Sequence, residues 1–330
     1  MATVLVTGSE GTLGERLVSA LWSRGHNVFC VDLAHSARDH YRRADVANFR
    51  QLEEAFMDAE ADFGPVDYVY HLAAEFGRNN GELYYEQVWA TNAIGTRNVM
   101  QLCKYFGSKM VFASSSEVYG EKGFAGMSSD GNWGIDDFLR EPHLDDQVPE
   151  LTNEYAISKY TNELQIRNFV KRYELPVCVL RFFNAYGPGE HYHPFRSVVC
   201  LFVHSALHGK PWDVYEGYFR TFMHVDDFIP TLARVIDGKR DGTKVFPQGV
   251  YNVGGRDFRS VEELSEIVLR ETGASPSLAR FVGREKHNVV SKRPDISRAE
   301  QDLGHDPKIT LEQGIPDTVA WMRSQLGRKT

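Results

Sequence analysis

Hydrophobic residues along the chain follow two patterns in turn, short runs typical of β-strands and the wider spacing typical of α-helices. Residues 3–7 form a short β-branched run, and after the glycine-rich turn that follows, Leu13, Leu17 and Leu21 recur at helical spacing. Strands that alternate with helices pair in parallel through right-handed crossovers, so the pattern predicts an α/β fold on a parallel sheet. Comparable strand-like runs cover residues 27–33, 66–74, 109–114, 177–183 and 251–254.

The pattern changes after residue 183. Prolines stand there among many aromatic residues and histidines, which predicts an irregular segment that covers a ligand. Helical patterns return at residues 259–272 and 311–323 and predict a smaller C-terminal lobe. Residues 121–150 are rich in Asp and Gly, and either a lid or an acidic surface loop explains them.

Composition narrows the classes of function. The net charge is −8, and the densest basic clusters are short and interrupted by acids, which argues against nucleic-acid binding. No apolar run approaches the roughly 20 residues that a membrane span needs, so we expect a soluble cytoplasmic protein without a membrane partner. The four cysteines lie far apart, as is typical of buried thiols in a reducing compartment.

The turn after the first strand carries Gly8, Gly11 and Gly14 and opens a helix. Small residues there let the backbone approach a pyrophosphate, while the helix N-terminus offers free N–H donors. The spacing G-x-x-G-x-x-G differs by one residue from the common dinucleotide fingerprint, so a purely structural turn is the alternative.

Asp32, at the end of the second strand, supports the dinucleotide hypothesis. Its carboxylate can accept hydrogen bonds from ribose hydroxyls and would repel a 2′-phosphate, which favours NAD over NADP. Arg38, Arg42 and Arg43 lie close enough in sequence to keep NADP open. Residues 45–46, after a presumed third strand, either contact the adenine edge or form a simple loop.

Tyr155 and Lys159 are spaced to share one face of a helix. A tyrosine hydroxyl, with an ordinary pKa of about 10, is a poor base, but a neighbouring ammonium favours the phenolate. Tyr155 is therefore a candidate base for a hydroxyl that loses hydride to nicotinamide, and a solvated helix face is the alternative. Residues 114–116, all serines, follow a strand, so their hydroxyls should lie at the sheet edge where ligands bind.

Together these motifs resemble the extended short-chain dehydrogenase/reductase family, in its nucleotide-sugar epimerase, dehydratase and decarboxylase branch. The resemblance covers nearly the whole chain and implies a Rossmann-type doubly wound parallel sheet with a smaller mixed α/β substrate lobe. It implies an NAD-binding domain of residues 1–183 plus roughly 222–256, and a substrate lobe of 184–221 and 257–330. The matching stretches are TGSEGTLG at Thr7, VDL at Val31, HLAAE at His71, TNAIGTRNV at Thr91, SSSEVYG at Ser114, YAISK at Tyr155, RFFNAYGPG at Arg181 and KRPDISRAEQDLG at Lys292.

The resemblance also implies roles for single residues, with a nucleotide-diphosphate sugar as substrate. Ser115 matches the residue that hydrogen-bonds the sugar's 4-hydroxyl, Tyr155 the base, and Lys159 the residue that holds the nicotinamide ribose and lowers the tyrosine pKa. Asn184 matches a contact to the sugar or its diphosphate, and Arg220 a phosphate-binding arginine. Cofactor contacts are expected at Gly8, Gly11, Thr12, Leu13, Gly14, Asp32, Asp45, Val46, Leu72, Ala73, Ala74, Asn92, Ser114, Tyr155 and Lys159, and further substrate contacts at Glu75 and Ser116. Arg196 lies in a loop that departs from the family pattern, and it either contacts a substrate phosphate or faces solvent.

The branch of the family depends on Glu117. It matches the glutamate that dehydratases use to abstract the C5 proton and that decarboxylases place near the carboxylate. Ser116 stands where thymidine-sugar dehydratases carry an aspartate, although the mannose dehydratases also use Ser-Glu. We therefore favour a 4,6-dehydratase that works through a 4-keto sugar. A 4-epimerase and a uronic acid decarboxylase are the alternatives within the branch, and an NAD-binding scaffold without catalysis is the alternative of a different class.

Assembly and metal binding complete the expectations. Helices at 92–106 and 155–173 carry apolar residues on more than one face, which predicts a homodimer through them. His191 and His193 form a His-x-His pair, and a single pair of this kind more often serves loop packing or substrate contact than metal binding. No metal is therefore expected.

Overall fold

The structure is a computed structural model that describes residues 1–120, 150–238, 245–285 and 288–326. Residues 121–149, almost all of the segment interpreted as a lid or an acidic loop, lie outside the described residues. Within the described ranges, no helix is both long and apolar enough to span a membrane.

A seven-stranded sheet forms the centre of the larger part. The strands are β1 (Thr3–Thr7), β2 (Asn27–Asp32), β3 (Tyr41–Arg43), β4 (Tyr68–His71), β5 (Lys109–Ser115), β6 (Val177–Phe182) and β10 (Gly249–Val253). All neighbouring strands are parallel, and their order is β10-β6-β5-β4-β1-β2-β3. The strand order reverses between β1 and β4, and in such sheets ligands bind at the carboxyl ends of the strands beside the reversal.

Helices cover both faces of this sheet because each buries one apolar stripe against it. Phe56, Val99 and Ile166 from three helices pack on one face. Leu17 and Phe228 from two others pack on the opposite face. The predicted doubly wound Rossmann-type fold is therefore confirmed. The helices of this part are α1 (Thr12–Ser23), α2 (Phe49–Phe63), α3 (Arg78–Leu83), α4 (Tyr85–Val88), α5 (Gly95–Phe106), α6 (Glu154–Tyr173) and α8 (Val225–Arg234).

A smaller mixed α/β lobe packs beside the sheet around a core of its own. The elements are β7 (Ala185–Tyr186), α7 (Val198–Leu207), β8 (Trp212–Tyr215), β9 (Phe219–His224), β11 (Asp257–Ser260), α9 (Val261–Thr272), β12 (Ala279–Val282), β13 (Ser291–Lys292) and α11 (Leu311–Leu326). Helix α10 (Ser297–Leu303) packs instead on the central sheet through Ala299 and Leu303. The four-stranded sheet of the lobe has β9 at its centre, paired in parallel with β13 and antiparallel with β11. Ser260 and Glu263 form a capping box that fixes the start of α9.

Two predicted elements differ in detail from the observed ones. The helix expected at 92–106 starts as a π-helix, Trp89–Ile94, before it continues as α5. The run at 66–74 forms only the short strand β4, and residues 72–77 leave the sheet as an irregular segment that borders a cavity. Short π-helical turns occur often at functional sites, because the extra residue displaces a side chain from the regular spiral.

Candidate active site

A cavity of about 510 Å³ opens at the carboxyl ends of the central strands. It extends from the glycine turn across the end of β5 to the segment before α7. Most of the residues that the sequence predicts for the site line this one cavity. They are Gly8, Gly11, Thr12, Leu13, Gly14, Asp32, Val46, Leu72, Ala73, Ala74, Glu75, Ser114, Ser115, Ser116, Glu117, Tyr155, Lys159, Asn184 and Arg196.

The glycine turn leaves room for a pyrophosphate because side chains are sterically excluded from it. A Cβ on Gly14 would lie 2.0 Å from the Gly8 carbonyl oxygen, and one on Gly8 would lie 2.7 Å from the Ala73 nitrogen. Gly8 also has a φ of +74°, which few other residues tolerate. Helix α1 begins after Gly11 without a side-chain cap, so its first N–H groups face the cavity as free donors for an anion.

The end of β2 fits an adenosine ribose without a 2′-phosphate. The Asp32 carboxylate accepts hydrogen bonds from the backbone N–H groups of Glu10 at 2.9 Å and Ala34 at 3.0 Å, which hold it in place as an acceptor. The three arginines that kept NADP open are engaged elsewhere: Arg38 pairs with Glu10 and Glu15, Arg42 with Glu54 and Asp58, and Arg43 donates to the Leu33 carbonyl. The site therefore fits NAD.

Asp45 and Asn92 do not line the cavity, although both were expected near the cofactor. Asp45 accepts a hydrogen bond from the Ala47 N–H in a turn, so its side chain organises the loop that brings Val46 to the cavity. Asn92, in the π-helix, is buried and holds the backbone of Glu75 through both its oxygen and its nitrogen, each at 2.9 Å. These two hydrogen bonds hold the segment around Glu75, which lines the cavity, in place.

Tyr155, Lys159 and Ser115 meet where α6 crosses the end of β5. The Asn153 side chain caps α6 by accepting a hydrogen bond from the Ala156 N–H, which fixes the start of the helix at Glu154, one residue before Tyr155. The Ser115 side chain lies close enough to the Tyr155 hydroxyl to lower its pKa. The Lys159 ammonium donates to the Ala113 carbonyl at 2.8 Å, with its nitrogen 6.0 Å from the centre of the Tyr155 ring.

Burial dominates the ionisation of this pair. It raises the pKa of Tyr155 well above the ordinary value, and Glu117 adds to that rise, while the hydrogen bond from Ser115 opposes it. Burial lowers the pKa of Lys159 to about 7, and Glu163 opposes that fall. Lys159 therefore exchanges between ammonium and amine near neutral pH, which is where a group that assists proton transfer is most useful.

Glu117 forms an ion pair that the sequence patterns do not predict. It lies in a short 3₁₀ turn, Ser116–Tyr119, and its carboxylate pairs with the ammonium of Lys292 on β13. Lys292 is buried and stands in register beside Arg220 on β9. Burial favours the neutral acid, but Lys292 and Arg220 outweigh it, so the pKa of Glu117 lies below its ordinary value. The site thus presents an ionised carboxylate beside two buried cations.

The sequence held one indication that Lys292 belongs to the site: it opens the stretch KRPDISRAEQDLG, which matches the family. The resemblance gave no role to any single residue of that stretch, so the partnership with Glu117 was not predicted.

Arg220 is held below the cavity surface. It donates to the carbonyls of Phe219 at 2.9 Å and Val290 at 3.0 Å and to the side chain of Asn288 at 3.1 Å, and it does not line the cavity. In the described residues it therefore acts as a fixed positive charge beside Glu117. A direct phosphate contact of Arg220 stays a prediction.

Arg196 lies on the cavity surface instead. Its guanidinium stacks 4.5 Å above the ring of Phe76, and its buried Nε finds no hydrogen-bond partner among the described residues. Arg196 is therefore a cation that faces the substrate half of the cavity and can pair with an anionic group.

Two other residues predicted to contact the substrate are held by neighbouring groups. The Glu75 carboxylate accepts a hydrogen bond from the Asn80 amide at 2.9 Å. The Asn184 amide donates to the Thr221 carbonyl at 2.9 Å.

The histidines and cysteines form no second site in the described part of the chain. His191 packs against Trp321 and His193 against Phe195, as expected for loop packing. Within the described residues, no three His, Cys, Asp or Glu side chains are grouped to hold a metal ion.

Comparisons with known proteins give the relationships of the chain. Residues 4–254 match the sequence model of the NAD dependent epimerase/dehydratase family. A UDP-N-acetyl-alpha-D-glucosaminuronate decarboxylase of Bacillus cytotoxicus is 29% identical over 329 residues, which cover 97% of each chain. UDP-glucose 4-epimerase of Thermus thermophilus, solved with NAD, is 26% identical with a TM-score of 0.78 over 97% of this chain and 98% of its own. The dTDP-glucose 4,6-dehydratase DesIV of Streptomyces venezuelae, also solved with NAD, is 26% identical with a TM-score of 0.79 over 98% of both chains.

Proposed function

The chain belongs to the NAD-dependent epimerase/dehydratase family, and we propose that it is a decarboxylase of a nucleotide-diphosphate uronic acid. The observation that carries the proposal is the Glu117–Lys292 pair, with Arg220 beside it, next to Ser115 and Tyr155. Similarity to the decarboxylase of Bacillus cytotoxicus along nearly the whole chain supports the same choice.

The first step is the oxidation of the sugar at C4. Tyr155 accepts the proton of the C4 hydroxyl, and Ser115, whose side chain lies beside the Tyr155 hydroxyl, orients the reacting oxygen. Lys159 favours the phenolate through its positive charge. When bound, NAD would supply the redox chemistry, namely the uptake of a hydride from C4 and its later return. The glycine turn, Asp32 and the other cavity residues predicted from the sequence would hold it.

A ketone at C4 makes a carboxylate on C5 labile, because the carboxylate is then β to a carbonyl. The bond between C5 and the carboxyl carbon breaks, carbon dioxide leaves, and the electron pair moves to the C4 oxygen as an enolate. Ser115 and Tyr155 are placed to stabilise this oxygen with hydrogen bonds. C5 then needs a proton, and the Lys292 ammonium can supply one through the Glu117 carboxylate with which it is paired. Reduction at C4 completes the reaction.

Charge on the cavity side fits an anionic sugar. Arg196 lines the cavity, and its Nε lacks a partner within the described residues, so a carboxylate or phosphate oxygen of the substrate can pair with it. Behind the cavity surface, the buried cations Lys292 and Arg220 lie beside the Glu117 carboxylate, which itself lines the cavity.

A 4,6-dehydratase, which the sequence patterns favour, is the second candidate. Its supporting observation is that Glu117 is ionised and thus able to abstract the C5 proton, together with the similarity to DesIV. A simple 4-epimerase needs no ionised acid beside C5. In such an enzyme the ion pair between Glu117 and the buried Lys292 would have no role in the reaction. These outcomes leave different products from the same 4-keto intermediate.

The division into two parts and the homodimer are also proposed. Residues 1–183 with roughly 222–256 would bind NAD, and residues 184–221 and 257–330 would bind the sugar. On the outer side of α5 and α6 and the turn before α5, Ile94 is 47%, Tyr105 79% and Leu164 42% exposed, which suits burial against a second copy. Sedimentation of the wild type and of Leu164→Arg tests the dimer, since the variant should sediment as a monomer if this face joins two copies.

The reaction is tested by the mass change of each of four nucleotide sugars. UDP-glucuronic acid and UDP-N-acetylglucosaminuronic acid should lose the mass of carbon dioxide, while UDP-glucose and dTDP-glucose stay unchanged. Loss of water from a hexose would favour the dehydratase, and an isomer of equal mass, separated from the substrate by chromatography, the epimerase. A protein that binds NAD and changes none of them, without a reduced-nicotinamide absorbance, would support a scaffold and contradict the proposal.

A further inference from the structure

A buried ion pair lies one helical turn beyond Lys159. Glu163 of α6 faces Arg181 of β6, with its Oε1 3.0 Å from Nε and its Oε2 2.6 Å from the terminal guanidinium nitrogen. The Ser114 hydroxyl donates to the same Oε1 at 2.6 Å. The side chains of the two charged partners are only 4% and 3% exposed. Such a fully engaged carboxylate has one fixed position.

Stability of the fold alone does not explain the buried Glu163–Arg181 ion pair. A buried Arg–Glu pair seldom stabilises a fold more than well-packed apolar residues of the same size, because both charges lose their hydration. Here the carboxylate belongs to the residue four positions after Lys159, on the same face of α6. Its partners, Arg181 and Ser114, come from the ends of the two strands that border the cavity.

The other groups around Lys159 do not supply a negative charge. His71, on the β4 side, is buried and neutral, since burial and Lys159 lower its pKa to about 3. Tyr155, on the same helix, is protonated in the resting protein because burial raises its pKa. The Phe112 ring, from β5, lies 5.1 Å from the ammonium nitrogen. Glu163 is the charge that opposes burial at Lys159.

We propose that Glu163, locked by Arg181 and Ser114, is a positioning residue that raises the share of Lys159 present as an ammonium beside Tyr155. The proposal rests on the proposed function for the role of Lys159, but the charge relation itself belongs to the resting protein. Without Glu163, the lysine becomes a neutral amine near neutral pH and no longer favours the phenolate of Tyr155. Arg181 holds the Glu163 carboxylate in position and compensates its charge within the buried pair.

The test compares four proteins: the wild type, Glu163→Gln, Glu163→Asp, and the double variant Glu163→Gln with Arg181→Met. The double variant removes both charges, so that a fold weakened by an unpaired Arg181 does not hide the effect. Ser265→Ala is the control for lost stability, because it removes the buried bond from Trp212 in the other lobe. The first readout is NMR titration of isotope-labelled lysine in the resting protein, and the second is the pH profile of reduced-nicotinamide formation.

We expect the pKa of Lys159 to fall by about one unit or more in both variants that lack the carboxylate, which is about a fivefold loss of ammonium at neutral pH. Reduced-nicotinamide formation should fall by a similar factor with little change in KM. Glu163→Asp should restore most of both, and Ser265→Ala should change neither. An unchanged lysine titration in the double variant would overturn the proposal. A shifted titration in a protein that converts no nucleotide sugar would instead refute only the proposed function.

Discussion

Gly14→Ala tests whether the glycine turn is built for a cofactor. The added Cβ would lie 2.0 Å from the Gly8 carbonyl oxygen and 2.9 Å from the Ser9 Cα, so the turn must move by about 1 Å to restore an ordinary contact. Gly8 cannot retreat freely, because its N–H donates to the Val31 carbonyl at 2.8 Å and its Cα side faces the Ala73 backbone. The strain therefore falls on the anion-binding end of α1.

We expect Gly14→Ala to lower the free energy of unfolding by about 1–3 kcal/mol, as overpacking of a tight site does. NAD affinity should fall by more than about tenfold, since the N–H donors leave their alignment. Calorimetric titration with NAD and thermal unfolding with and without NAD measure the two effects. Gly283→Ala is the matched control, because no atom lies within 4 Å of its added Cβ. If Gly14→Ala binds NAD as the wild type does, the assignment of the turn is refuted.

Three further predictions concern the catalytic helix and the smaller lobe. Tyr155→Phe should keep NAD binding and the fold but lose reduced-nicotinamide formation by more than about a hundredfold; near-normal formation would remove Tyr155 as the base. Lys159 has a pKa of about 7 in the folded protein against 10.5 as the ordinary value. The unfolded chain therefore binds more protons between these values, so the free energy of unfolding should rise with pH across that window. Lys159→Met should flatten this rise in urea titrations, and an unchanged slope would contradict the shift. Ser260→Ala should cost about 1 kcal/mol by removing the capping box with Glu263, as measured by urea unfolding, whereas a neutral result would show that the cap is dispensable.

Local sequence patterns predicted the fold and most of the cavity because the relevant signals are short. The run at 3–7, the glycine turn and Asp32 each report their own geometry within a few residues, and the parallel sheet brings the strand ends together. For the same reason the sequence alone suffices to place Tyr155 and Ser115 at one edge of the sheet, where both line the cavity.

Contacts between distant segments could not be predicted in this way. The Lys292 partner of Glu117 lies 175 residues away and depends on the register of β13 beside β9. Whether Arg220 reaches the cavity surface depends equally on its bonds to the segment 288–290. Asp45 differs for a local reason: its position after a strand left both the adenine edge and a simple loop open, and the bond that its carboxylate accepts from the Ala47 N–H turns it into the loop.

The measurement that tests the central claim most directly is an NMR experiment with UDP-glucuronic acid and the NAD-loaded protein in heavy water. If the protein is a decarboxylase of nucleotide-diphosphate uronic acids, the sugar should release carbon dioxide and gain one deuterium at C5. Exchange of Glu117 for Gln should slow that gain while the oxidation at C4 continues. A uronic acid that keeps its carboxylate, while a nucleotide hexose loses water or is inverted at C4, would contradict the account.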